Sequence, residues 1–298
     1  MEIRTLRYFL AVAREENMTR AAEQLHVTQP TLSKALRALE EELGKKLFTR
    51  HSFCIRLTEA GILLRNRAED LVGMADKIKQ EFLSLDDISG GDLYLGLAES
   101  HQIGLLAREI HALKQRYPDL RYYITSGDTE QVGEKLDRGL LDFAVLAELP
   151  DAARYEYLAF PGSDVWGLVT RADDPLAKKQ TIRVDDLVGL PLFCSWQSWE
   201  KDIPHWARDR MPELRLEGSF RLSYNASLFA KEGLGYLLTF DRLIDSSAES
   251  GLVFRPLEPR LETKLYLVWK KYQSFTPIAA RFLEQLRGSF QAGPGPRS

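Results

Sequence analysis

A change of rhythm at Gly90–Gly91 constrains the fold more than any other feature of this chain. Up to that pair, apolar residues recur mostly at helical spacings of three and four. From Asp92 on, short apolar runs such as LYLGLA, LRYYIT and LLDFAVLA alternate with helical segments, one of them carried by Ile103, Leu106, Ile110 and Leu113. Near-continuous apolar strands separated by helices predict a mainly parallel sheet covered on both faces, because parallel neighbours need a long crossover. A second set begins at DVWGLVT and includes LVGLPLF, FRLSY, GYLLTF and LETKLYLVWKK, with helices over Asn225 to Lys231 and from Thr276 and Pro277 through Leu286. Two α/β subdomains joined by crossing strands, with a cleft between them, account for both sets. At 298 residues the chain has length enough for this and for a further small domain.

That further domain precedes the glycines. Leu6, Phe9, Leu10 and Ala13 outline a first helix; Asn17 and Met18 read as a turn, and Thr19 as the N-cap of a short helix through Ala22 and Leu25. Thr28 caps a third helix with Gln29 and Pro30 in its first turn, where the missing proline N–H costs little, and Leu32, Leu36, Leu39 and Leu43 continue it to Gly44. Residues 45–57, KKLFTRHSFCIRL, suit a small hairpin or wing with Arg50, His51 and Ser52 at its tip. A long helix from about Thr58 to Asp87 repeats Leu64, Ala68, Leu71, Ala75, Ile78, Phe82 and Leu85 in steps of four and three, the seam of a pairing with a second copy. The plainer alternative is one amphipathic helix lying on its own domain. The resulting division is 1–58, 59–89 and 90–290, the last split into 90–161 plus 266–290 and 162–265. The tail 291–298, QAGPGPRS, lacks an apolar anchor and is expected to be disordered.

Charge is local rather than global. The formal net charge is -3, yet residues 1–58 hold ten basic and seven acidic side chains, whereas 59–89 hold four and seven. A nucleic-acid footprint is a local property, so the acidic total is no objection to one at the N-terminus. Cys54 and Cys194 stand far apart with no second thiol near either, which excludes a disulfide framework and a zinc cluster and leaves two free thiols. No apolar run approaches eighteen residues and MEIRTLRYFL lacks signal-peptide character, so the expectation is a cytoplasmic protein without a membrane partner.

Two short helices joined by a tight break, with small Ala21 and Ala22 at their approach, fit a helix-turn-helix, whose second helix enters the DNA major groove by its N-terminal residues. Here that tip carries Gln29, Pro30, Thr31, Ser33, Lys34 and Arg37. Gln pairs with an adenine edge, hydroxyls and methyls offer shorter contacts, and Lys or Arg address guanine or phosphate. Arg50 and Arg56 on the wing are the phosphate or minor-groove candidates. A helical hairpin in an unrelated all-α domain, with Lys34 and Arg37 as its solvated face, has the same pattern.

The stretch NMTRAAEQLHVTQPTLSKALRALEEELGKKLFTR, followed by RLTEAG at 56–61, resembles the DNA-binding domain of the LysR-type bacterial transcriptional regulators. The resemblance extends over about residues 2–290. It implies a winged helix-turn-helix, a linker helix forming a dimer arm, and an effector domain with the periplasmic-binding-protein-like fold. Gln29, Pro30, Thr31, Ser33, Lys34, Arg37, Arg50 and Arg56 match the family's DNA-facing positions. It also implies a ligand site in the cleft, walled by Ser100 with His101 in GLAESHQIG, by Thr129 in SGDT, and by Ser195 and Trp196 in FCSWQSW. Backbone N–H groups at a helix start favour an anion there, such as a carboxylate or an aromatic acid. Ser100 and Thr129 are equally good helix caps, Ser195 suits a turn, Trp196 and Trp199 suit core or interface, and His101 suits the surface. Two segments depart from the family pattern. Leu238, Thr239 and Phe240 stand where a Leu-Pro pair is usual, and Asp174 precedes Pro175–Leu176 where His is common.

The expected function is therefore sequence-specific, effector-modulated transcription regulation by a homodimer or homotetramer, with operator DNA, a small-molecule effector and, by resemblance alone, RNA polymerase as partners. No cofactor or metal is expected. Against the first alternative, an α/β enzyme fused to a DNA-binding domain, there is no G-x-S-x-G elbow, Walker loop or H-E-x-x-H. The second alternative, a ligand-independent DNA-bridging protein, predicts salt-sensitive binding with little operator preference.

Overall fold

Burial of one apolar stripe on each of three helices builds the N-terminal core: Leu6, Phe9 and Val12 from α1 (Ile3–Glu15), Ala21 and Ala22 from α2 (Met18–Gln24), and Leu32, Leu36 and Leu39 from α3 (Gln29–Leu43). The structure, a computed structural model, describes residues 1–50, 55–84, 89–247 and 249–291. The chain falls into two units, Met1–Leu83 and Ser84–Ser298.

In the first unit the α2 cap lies two residues earlier than its sequence suggests. Asn17, in an extended conformation (φ -148), accepts from the N–H groups of Thr19 and Arg20 at 2.9 and 3.1 Å, so Met18 and Thr19 are helical. Thr28 caps α3 as expected, its hydroxyl accepting from Thr31 N–H, and Gly44 ends the helix in the left-handed region at φ 63. Strands β1 (Phe48–Arg50) and β2 (Ile55–Leu57) pair antiparallel, Thr49 opposite Arg56, and form the wing. His51, Ser52 and Cys54 lie outside the described residues. Glu40 fastens the wing to α3, accepting from Lys46 Nζ at 2.7 Å and from Leu47 N–H at 2.8 Å. Burial pushes its carboxyl up, but Lys46 and the N–H groups of Leu47 and Phe48 outweigh burial and hold it below the usual carboxylate range.

The long helix α4 (Glu59–Ser84) splits its seam in two. Leu64 and Ala68 pack on the core of their own unit, Ala75 is half-buried, and Leu71, Ile78 and Phe82 are exposed. Leu85 lies outside the described residues. Gly61, from the RLTEAG motif, sits where a Cβ would come within 2.2 Å of the Leu47 carbonyl oxygen, so only glycine lets α4 start against the wing.

In the second unit β3 (Gly90–Leu97), β4 (Asp119–Ser126) and β5 (Phe143–Leu146) are parallel, connected by α5 (Ile103–Arg116) and α6 (Thr129–Asp137). The expected mainly parallel sheet then meets a long strand, β6 (Tyr155–Arg171), which begins nine residues before DVWGLVT and passes through both lobes. The far lobe contains β7 (Ile182–Arg183), β8 (Pro191–Ser195), α7 (Trp196–Glu200), α8 (Asp202–Ala207), β9 (Arg215–Phe220), α9 (Ser223–Lys231), β10 (Tyr236–Phe240) and β11 (Leu252–Glu258). β12 (Glu262–Lys270) returns beside β6, and α10 (Pro277–Gln291) covers the first lobe. The strand order is β4-β3-β5-β12-β6-β10-β8-β9, with β11 on β6 and β7. The pairs around β6 and β12 are antiparallel because both cross between lobes. FRLSY is not a strand: β9 ends at Phe220 and α9 starts at Ser223. Residues 292–298 of the tail lie outside the described residues. Among the described residues, no helix is long and apolar enough to cross a membrane.

Two outcomes test this packing. Gly61→Ala overpacks the wing at a cost of about 1–3 kcal/mol. All five tryptophans fall in the second unit, so an early loss of helical circular dichroism with unchanged tryptophan fluorescence is expected. A lowered folded-state pKa gives stability that is present above the ordinary carboxylate range and lost as pH falls through the folded value. Glu40→Gln is therefore expected to lower the melting temperature near neutrality, with the difference from the parent chain closing in acid.

Candidate functional site

The DNA-reading candidate is set by α3 alone. Because Leu32, Leu36 and Leu39 are buried, the helix turns Gln29, Pro30, Thr31, Lys34 and Arg37 to the surface, and Ser33 stays half-buried between the faces. Pro30 sits in the first turn, where it breaks no helical hydrogen bond. The Thr28 and Thr31 hydroxyls lie 2.8 Å apart, which fixes the rotamer of the Thr31 side chain beside Gln29. Arg56 is exposed on β2, and Arg50 ends β1. Helix start and wing strand thus present donors and methyl groups from one unit.

The second unit has a cleft of about 70 Å³, open to solvent, between its lobes. Its floor is apolar: Trp166 from β6 and Phe240 from β10 meet edge to face at 4.5 Å, with Ala98, Ala147, Phe220, Leu238 and Leu243 around them. Trp166 is held by its indole N–H donating to Thr263 Oγ1 at 2.8 Å. Polar links cross from lobe to lobe at the rim. Gln197 and Thr129 exchange two bonds of 3.1 Å, Thr129 N–H to Gln197 Oε1 and Gln197 Nε2 to Thr129 Oγ1. Glu99 Oε2 accepts from Ser223 N–H at 2.6 Å, Lys201 Nζ donates to Glu148 at 2.6 Å, and Arg221 lies 3.6 Å from Asp128.

Of the five residues singled out from sequence, Thr129 and Ser195 line this cleft, and Ser100, His101 and Trp196 do not. Ser195 also caps α7, accepting from Ser198 N–H at 3.3 Å. Ser100 is buried, its hydroxyl accepting from Gln102 N–H at 2.9 Å. His101 Nδ1 faces Asp164 Oδ1 at 3.2 Å, and Trp196 is exposed. Burial pushes the Asp164 carboxyl up, against the opposing effects of Ser100, Gln102 and His101, and its Oδ2 has no hydrogen-bond partner. Thr129 is not a cap; Asp128 is, accepting from Gln131 N–H at 2.9 Å.

Glu99, Gln197, Arg221 and Ser223 were not singled out in the sequence. One signal does point to the first: Leu222 occupies the cap position of α9 and cannot cap it, so the helix start requires an acceptor from elsewhere. The two departures from the family pattern have local roles. Thr239 is buried in the cleft with its hydroxyl 3.0 Å from that of Ser223, and Asp174 caps the short turn after it and accepts from Tyr236 OH at 2.9 Å. Among the described residues no group of three or more His, Cys, Asp or Glu is placed to hold a metal ion.

Comparison with known proteins converges on one family. Residues 3–62 match the family described as bacterial regulatory helix-turn-helix protein, lysR family, and residues 88–291 match the LysR substrate binding domain. A hydrogen peroxide-inducible genes activator of Pectobacterium carotovorum subsp. carotovorum is 33% identical over 194 residues, 65% of this chain and 64% of that relative, so the match spans less than two thirds of its length. The Hca operon transcriptional activator of Escherichia coli (strain K12) is 28% identical over 293 residues, 91% of this chain and 92% of its own. The crystal structure of CbnR, a LysR family transcriptional regulator, superposes with a TM-score of 0.76 at 21% identity, over 97% of this chain and 99% of that one, a likeness of fold. With a helix-turn-helix ahead of a two-lobed α/β domain, and both matched to their counterparts, the chain belongs to the LysR family of bacterial transcriptional regulators.

Proposed function

We propose that this regulator reads an operator in double-stranded DNA through Gln29, Pro30, Thr31, Ser33, Lys34 and Arg37, with Arg50 and Arg56 of the wing on the flanking backbone, and that a small molecule in the cleft modulates it. The observation that carries the reading is the two-faced α3, with leucines inward and a row of exposed base-reading side chains outward at its start. Residues 1–58 read DNA, 59–89 join copies and 90–290 sense. An effector acts only if it binds one arrangement of the lobes better than another, and the Thr129–Gln197 and Glu99–Ser223 links are the contacts such a preference would work through.

Self-association is supported by apolar surface. Leu71, Ile78 and Phe82 extend the seam of α4 outward, and Tyr122, Tyr123 and Ile124 expose an edge strand, β4, in the second unit. A dimer suits paired operator half-sites, and a tetramer and polymerase contact follow the family.

The anion expected from sequence would be met by Arg221 and by the N–H groups at the starts of α6 and α9, yet those starts already hold Asp128 and Glu99. One relative's name speaks of hydrogen peroxide, but Cys194 is not placed to react with it: the residue is fully buried, and burial, then Asp202, push its thiol up, whereas oxidation of a thiol by peroxide needs an accessible thiolate. Cys54 lies outside the described residues.

On DNA selected from a random pool, Lys34→Ala is expected to weaken binding to selected and scrambled duplexes alike and to reduce the salt slope by about 1. Gln29→Ala is expected to cost about 1–3 kcal/mol on the selected duplex only. Equal losses for both variants on both duplexes would sink this division. Ala147→Trp fills the cleft from its half-buried wall and is expected to abolish stabilisation by any small molecule found in a thermal-shift screen, with DNA binding kept. Undiminished stabilisation in that variant would rule the cleft out.

A further inference from the structure

Of the helix starts at the cleft, those of α6 and α9 are already supplied with a carboxylate of the chain, and the short α7 is capped by the Ser195 hydroxyl. At α9 the cap residue Leu222 makes no side-chain bond, and Glu99, 124 residues away on the other lobe, accepts from Ser223 N–H. At α6 the start is capped by Asp128. The cleft thus has two carboxylates among its lining residues, and the one cation there among the described residues, Arg221, has its side chain 67% exposed and faces Asp128. Salt screens so exposed a guanidinium far more than the half-buried Glu99. An effector carboxylate placed beside Ser223 would have to displace Glu99 or lie against it, and like charges in a partly desolvated site repel strongly. An ammonium meets the opposite situation: attraction to Glu99 and Asp128, above an apolar floor that includes Trp166 and Phe240.

We propose that Glu99 determines effector class: the cleft takes a molecule with an apolar or aromatic body and a protonated amine directed at Glu99, and discriminates against the matching carboxylate. This rests on the cleft being the effector site. The amine donates to the Glu99 oxygen turned from Ser223, the body covers Trp166 and Phe240, and Thr129, Ser195 and Thr239 supply hydroxyls around it. Glu99 bridges the lobes, so drawing its charge toward a ligand acts directly on a contact that spans the cleft.

The test uses the full chain and a matched pair of probes, phenethylamine and phenylacetate, with binding followed by calorimetry. The parent chain is expected to prefer the amine at least about tenfold. Glu99→Gln keeps an acceptor for Ser223 N–H and removes the charge; it is expected to weaken the amine about tenfold or more and to narrow or invert the preference. A second variant, Glu99→Asp, keeps the charge and is expected to retain the preference for the amine. The proposal is overturned if phenylacetate binds the parent chain as well as the amine does, if Glu99→Gln leaves the ratio unchanged, or if neither probe binds. The cleft reading fails separately: a probe that binds Ala147→Trp as tightly as the parent chain is not in the cleft at all, whereas a probe blocked by that variant with an unchanged charge preference in Glu99→Gln defeats the role of Glu99 alone.

Discussion

The sensing half depends on one backbone, the 17-residue strand β6, shared by two lobes. Its first part pairs with β12 from Tyr155 to Ala159 and again over Ser163–Val165; its last part pairs with β10 and β11 from Trp166 or Gly167 onward. A paired strand cannot slip by one residue without inverting every side chain along it, and the last part of β6 is held on both sides. That fixes Trp166 in the floor of the cleft and Asp164 in the interior two residues earlier, on the same face of the strand. The strand joins the β12 edge of the first lobe's sheet to β10 and β11 of the second, so the cleft between the lobes follows from the topology.

A similar economy governs the N-terminal unit. Burying Leu32, Leu36 and Leu39 is what stabilises α3, and the same act turns Gln29, Lys34 and Arg37 outward. Glu40, on the same helix, then fixes the wing through Lys46 and Leu47 N–H, so the helix and the wing strands hold one relative position. The exposed residues of the helix start contribute little to the core, which leaves them free to vary without loss of the scaffold.

Periodicity made most of this architecture legible, because burial leaves its mark every two or three to four residues. The leucines of α3, the apolar strands β3 and β5, and the break at Gly90–Gly91 all carried it. The sequence points to Thr19 as the cap of α2, two residues past the actual cap Asn17, because Asn and Thr are both good caps and only geometry chooses between them. The seam of α4 looked uniform, yet Leu64 and Ala68 serve their own unit whereas Phe82 is exposed, a split that depends on where α1 and the wing happen to lie. β6 was read as starting at Asp164 because its first half, Tyr155 to Pro161, mixes exposed and buried residues where it crosses.

The cleft is the least legible part because its contacts join distant segments: Glu99 to Ser223 and Thr129 to Gln197. Local reasoning points to the helix start beside Ser100 and His101 as a place for negative charge. What it could not count was the chain's own supply of such charge. A helix start has a limited number of unpaired N–H groups, and a carboxylate already bound to one changes the preference of the site from attracting a second anion to attracting a cation. For α9 the clue lies in a residue that does nothing: Leu222, at a position where Ser, Thr, Asp or Asn would normally satisfy the helix locally, leaves that task to Glu99 on the opposite lobe. A missing local cap couples the lobes, because the residue that makes up for it belongs to the lobe opposite the helix it caps.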